Sequence, residues 1–106
     1  MPTFQIYITD STARAVEGRK FKVAIDGAEF WFIAHEAHDM IGLYRITDLR
    51  SGRKVLDIPH SVLAANRGSL VPAAKAAWKK FMSGRNEKSV RQVIEAAPAL
   101  EEATAA

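Results

Sequence analysis

KFKVAIDGAEFWFIAH, residues 20–35, decides the architecture. Phe21, Val23 and Ile25 alternate with Lys20, Lys22 and Ala24, the period-two pattern of a strand with one buried face. Asp26-Gly27 follows, a dipeptide that readily takes the two positive-φ positions of a type I′ hairpin turn. A two-residue loop fixes the register: Ile25 lies opposite Ala28, Val23 opposite Phe30 and Phe21 opposite Phe32, all six on one face. The other face then carries Lys20, Lys22, Trp31, Ile33 and His35. It is partly apolar where a simple two-layer domain would be polar, so it should be covered.

Working outward, Phe4, Ile6 and Ile8 alternate with polar neighbours and predict a first strand over residues 4–8. The pattern breaks from Asp10 to Gly18, where helix-capping residues and a glycine suggest a helical turn or a structured loop. Downstream, Arg50-Ser51-Gly52 suits a three-residue hairpin loop with Leu49 facing Arg53. That loop pairs Asp48 with Lys54, Thr47 with Val55, Ile46 with Leu56, Arg45 with Asp57 and Tyr44 with Ile58. Opposite charges and apolar groups both match, and a two-residue loop would mismatch them at about 0.2–1 kcal/mol per pair.

After Pro59 the period lengthens to that of a helix. Ser61 to Asn66 predicts a short one, ended by Arg67-Gly68. Ser69 is placed to cap a longer helix to about residue 83, with Pro72 in its first turn and a stripe of Val71, Ala74, Trp78 and Phe81. Asn86 caps a third, in which Val90, Val93, Ile94 and Ala97 recur at helical spacing and Pro98 stops the helix. The predicted fold is therefore α+β, a five-stranded antiparallel β-meander followed by two or three helices packed on the sheet. One domain spans residues 1–98, and the alanine- and glutamate-rich residues 99–106 form a disordered tail.

Composition narrows the function classes. The chain has 106 residues, enough for one core, and no cysteine, which removes disulfides, thiolate nucleophiles and cysteine-ligated metals. No apolar run is long enough to span a bilayer and no signal peptide opens the chain, so the expected location is cytoplasmic with no membrane partner. No phosphate-binding glycine motif or nucleophile elbow is present, and no cofactor is expected.

The net charge of +3 is unevenly spread. Residues 61–92 hold Arg67, Lys75, Lys79, Lys80, Arg85, Lys88 and Arg91 against the single acid Glu87, whereas residues 1–60 balance. Lys75 and Lys79 lie one helical turn apart, opposite the apolar stripe, and should project together into solvent. A solvated helix face needs no such sign bias, since mixed charges serve solubility equally well. The leading expectation is a non-enzymatic binding protein whose basic helix face meets nucleic acid or an acidic protein surface.

Two other surfaces compete with it. Lys20, Lys22, Trp31 and Ile33 on the second sheet face could stack bases or join two copies into a homodimeric regulatory module, although burial beneath a helix is the leading expectation for the aromatic and aliphatic groups. Third, His35, His38, Asp39 and His60 carry the residue types of a metal-dependent enzyme. Two histidines three apart at a strand end do not match the helical peptidase zinc motif, however, and no structural metal is expected there.

Overall fold

The computed structural model describes residues 2–7 and 12–99. Five antiparallel strands run in sequence order, β1 (Thr3–Tyr7), β2 (Ala13–Ile25), β3 (Ala28–Glu36), β4 (Tyr44–Asp48) and β5 (Lys54–Ile58). Three helices follow, α1 (His60–Ala65), α2 (Leu70–Met82) and α3 (Glu87–Ala96). The expected α+β meander with helices on the sheet is the fold observed. The expected tail lies, Ala99 apart, outside the described residues, as does Ile8 at the end of the first strand.

The Asp26-Gly27 turn forms as its chemistry requires, with φ of 50° and 79°. It sets Ile25 opposite Ala28, Val23 opposite Phe30 and Phe21 opposite Phe32. In the last hairpin the outer pairs are those expected: Tyr44 with Ile58, Arg45 with Asp57 and Ile46 with Leu56. Nearer the turn the expectation fails, because Thr47 pairs with Lys54 and Val55 is left as the extra residue of a β-bulge. Asp48 instead donates its N–H to Arg53 and accepts from the Gly52 N–H. The Asp48 carboxylate also accepts hydrogen bonds from the Ser51 N–H and hydroxyl, at 3.2 and 2.7 Å. A buried Asp–Ser turn sets the loop, making it one residue longer than expected.

The larger correction concerns residues 10–18. Ala13 to Gly18 are the first half of the 13-residue strand β2, which pairs with β1 over residues 13–17 and with β3 over residues 18–25; Asp10 and Ser11 lie outside the described residues. Gly18 is the hand-over, donating its N–H to Pro2 while pairing with His35 across β3. A Cβ at this position would come within 2.8 Å of the Ala34 carbonyl oxygen and 3.2 Å of the His35 Cβ. Only glycine lets the two strands approach so closely.

The sheet consequently buries both its faces by different means. Phe21, Ile25, Phe32, Ala34, Ile46 and Ile58 meet Ala73, Ala74, Ala77 and Trp78 of α2 and Ile94 of α3. Edge-on aromatic contacts continue through this core, Phe21 to Phe32 at 5.9 Å and Phe32 to Trp78 at 5.0 Å between ring centroids. On the other face the register aligns Ile6 of β1, Val16 of β2, Ile33 and His35 of β3 and Thr47 of β4. Ile6, Ile33, His35 and Thr47 are all buried, yet none belongs to the core beneath the helices. The first hairpin curls over this face, and the Tyr7 N–H reaches the Gly52 carbonyl at 2.8 Å. The second face is thus closed from the side of the first hairpin, and its buried residues lie outside the core beneath the helix expected to cover it.

The helices end as their caps direct. Ser69 precedes α2, although its hydroxyl makes no capping bond, and Gly84 follows with φ of 78°. The Asn86 side chain accepts from the Ser89 N–H at 3.0 Å, capping α3. Arg91 and Glu87 then tie α3 to the Asp26 backbone, while the Arg50 guanidinium donates to the carbonyls of Ile94, Glu95 and Ala97. Helix α3 is therefore fastened to the β2–β3 and β4–β5 turns.

Two substitutions test this packing. Trp78→Ala removes the ring joining Phe32 to Phe81 and should cost about 3–5 kcal/mol, comparable with the whole stability of a small domain. Gly18→Ala should cost about 1–3 kcal/mol through the clash with the Ala34 carbonyl. Urea unfolding checks both; an unchanged midpoint for either variant contradicts the packing described.

Candidate functional site

Helix α2 carries a clean division of faces. Ala73, Ala74, Ala77 and Trp78 are buried and Leu70, Val71, Phe81 and Met82 half-buried, leaving Pro72, Lys75, Ala76, Lys79 and Lys80 facing outward. Among the described residues none of the three lysines has an ion-pair partner. Lys79 and Lys80 also lie in the last helical turn, where their charge is favourable to the helix dipole. That accounts for two of the three, since Lys75 sits in the middle of the helix.

The other basic residues expected at this surface divide. Arg67 is exposed in the turn before α2, with φ of 56°, and Lys88 is exposed in the first turn of α3. Arg85 and Arg91 are engaged within the chain. Arg85 lies over the Phe81 ring at 4.0 Å and donates to its carbonyl at 2.7 Å. Arg91 pairs with Glu95 at 2.9 Å and with Asp26 at 3.8 Å. These two arginines hold structure together, and the basic surface is narrower than the sequence suggests.

The second sheet face is narrower still. Ile33 is buried, as the leading expectation for it had it, and has no accessible surface, whereas Trp31, for which burial was also expected, is 43% exposed. The Lys20 and Lys22 ammonium groups lie 4.9 and 5.5 Å from the Trp31 ring centroid, within cation–π range. Lys22 also pairs with Glu29 at 2.7 Å. Close by along the backbone, Leu49 donates its N–H to the Trp31 carbonyl, and Gly52, three residues on, accepts from Tyr7. The Tyr7 ring in turn carries the Arg53 guanidinium at 4.5 Å. Sequence spacing holds no signal for this last pair, because only the curl of the first hairpin brings residue 7 to residue 53.

The histidine group does not converge. His35 is buried, with Nδ1 2.8 Å from the Glu36 carbonyl and Nε2 2.6 Å from the Thr47 hydroxyl oxygen. A carbonyl can only accept, so Nδ1 carries the proton and the Thr47 hydroxyl donates to Nε2. Both ring nitrogens are thereby occupied. Asp39 pairs with Arg45 at 3.3 Å, and His60 is exposed at the start of α1. Arg45 also donates to Asp57 at 2.7 Å. Burial alone would raise the Asp57 carboxyl pKa, but the hydrogen bonds from Arg45 and Lys54 outweigh it and hold the group below its ordinary value. Among the described residues no three potential metal ligands come together.

His38 Nδ1 is buried without a hydrogen-bond partner among the described residues and lies at the wall of a cleft of about 1080 Å³. Arg14 and Arg19 line the same cleft, but so do Glu17 and Glu36, which cancel its positive charge. No family model, curated protein or solved structure matches this chain.

Burial of His35 pushes its pKa below the ordinary value of 6.5. The unfolded chain therefore binds a proton at higher pH than the native one, so this part of the stability is complete above the ordinary value and declines as pH falls through and below it. Thermal unfolding from about pH 7.5 to about pH 5 should show a decline that His35→Gln makes shallower. Parallel curves for the two proteins contradict a buried neutral His35.

Proposed function

We propose that the protein is a non-enzymatic nucleic-acid-binding module that meets phosphates with the outward face of α2. One observation carries the reading: Lys75, Lys79 and Lys80 stand together in solvent, with no ion-pair partner among the described residues. Each lysine that meets a phosphate releases condensed counterions, which favours nucleic acid over an acidic protein surface of lower charge density. Arg67 and Lys88 flank α2 in the chain and extend the basic set.

The competing readings have less support. A homodimer through the second sheet face would need that face open, and Ile33 has no accessible surface. An enzyme at the histidine group would need His35, whose two nitrogens are committed to Glu36 and Thr47.

Substituting Lys75, Lys79 and Lys80 together by glutamine should leave folding intact and weaken binding across all nucleic-acid sequences. It should also flatten the log–log dependence of affinity on salt by up to about 0.7–0.9 for each phosphate the variant no longer neutralises. Gel shifts across a salt series check this. Absence of wild-type binding to any DNA or RNA at about 50 mM salt, or equal binding by the triple variant, contradicts it.

A further inference from the structure

Trp31 is the one large aromatic side chain of the described residues that stays substantially exposed, and it stands on a rigid element. The next two residues of β3, Phe32 and Ile33, are fully buried, and its cross-strand partner is Lys22. A solvent-facing indole on a fixed sheet is costly to hydrate and inexpensive to cover, because its position is already ordered. The two cations over it, Lys20 and Lys22, identify the kind of molecule that would cover it. A ligand combining a flat π-face with a nearby negative charge satisfies the ring and the Lys20 ammonium, while Lys22 is already paired with Glu29; a nucleotide has both features. Tyr7 with Arg53 repeats the pairing of ring and cation on the other side of the Leu49–Gly52 turn.

The position of this surface selects between nucleic-acid forms. Trp31 points to the face opposite the one on which α2 packs, so its exposed ring and the lysines of α2 look in opposite directions. A duplex, stiff over about 150 base pairs and with its bases already stacked, cannot touch both surfaces of one small domain and has no base face to offer. A single strand bends around the domain and exposes its bases.

We infer that Trp31, with Lys20 and Lys22 beside it, is a stacking site for unpaired bases of a single-stranded nucleic acid. The inference deepens the proposed function and rests on it for the class of partner. The base lies against the indole, and Lys20 shifts toward the adjoining phosphate, with Lys22 following only by exchanging its pair with Glu29.

The chain has two tryptophans, one exposed and one in the helix-covered core, so emission reports the site directly. Wild type, Trp31→Ala, Trp31→Phe and the Lys75/Lys79/Lys80→Gln triple variant are titrated with an oligothymidylate of about 16 nucleotides and with a duplex of equal length. Tryptophan emission and gel shift are followed together, at about 50 mM salt. The single strand should quench wild-type emission and the duplex should not. Trp31→Ala should weaken single-strand binding by roughly 5- to 150-fold and leave duplex binding unchanged, while Trp31→Phe retains most of the affinity. A melting curve like that of the wild type shows that Trp31→Ala remains folded.

Unquenched emission at saturation, or equal single-strand affinity for Trp31→Ala, overturns the inference even where the triple variant has lost binding and the role of α2 stands. Quenching and single-strand affinity that survive unchanged in the triple variant uphold the inference and remove α2 from the site. Failure of the wild type to bind either oligonucleotide overturns both, and a dimer that forms without nucleic acid and is lost in Trp31→Ala overturns the inference in favour of self-association.

Discussion

The close approach of β2 to β3 at Gly18 is the constraint on which the remainder of the molecule depends. A side chain there would collide with the Ala34 carbonyl, so the strand could not leave β3 and take up β1 at the same point. Because it does, β1 lies over the second face and Ile6, Ile33, His35 and Thr47 acquire an interior of their own. A domain of this length would ordinarily solvate one face of its sheet. Covering that face with a strand leaves the helices to seal only the other, and leaves Trp31 outside, just past the buried Ile33.

The same economy governs the charges. Arg45, nearly inaccessible on the strand-covered face, is neutralised by Asp57 and Asp39. Removing both acids would strand a buried cation, a change of several kcal/mol. Arg50 closes the carbonyl end of α3, Arg91 its contact with the Asp26 turn, and Arg85 covers Phe81. Arginines thus do much of the joining, through planar groups that donate to several partners or lie flat on rings. Lysines remain at the surface on α2, where a flexible ammonium suits phosphates met in no fixed geometry.

Much of the fold was legible in the sequence because two turns carry unambiguous chemistry. Asp26-Gly27 set one hairpin outright, and charge matching at Arg45 and Asp57 set the outer pairs of another. The bulge at Val55 was not legible, since it follows from Asp48 and Ser51 closing a loop through side chains. Residues 13–18 read as a turn because Val16 is the only large apolar side chain that half of β2 directs inward; Arg14 and Gly18 break the alternation. The candidate site was legible to the extent that it lies on one helix. Lys75, Lys79 and Lys80 project as helical spacing requires, whereas the internal roles of Arg85 and Arg91, the enclosure of Ile33 and the meeting of Tyr7 with Arg53 all depend on tertiary closure.

On the proposed reading a nucleic acid touches this domain on two opposed surfaces, the lysine face of α2 and the exposed indole of Trp31. Backbone and indole N–H resonances, recorded during titration with an oligothymidylate, distinguish the two surfaces in one experiment. Two-surface binding predicts shifts at the amides of Lys75, Lys79 and Lys80 and at the Trp31 indole, with the Trp78 indole, enclosed at 7% exposure, unmoved. Shifts confined to the cleft of Arg14, Arg19 and His38, or spread evenly through the chain, would contradict it.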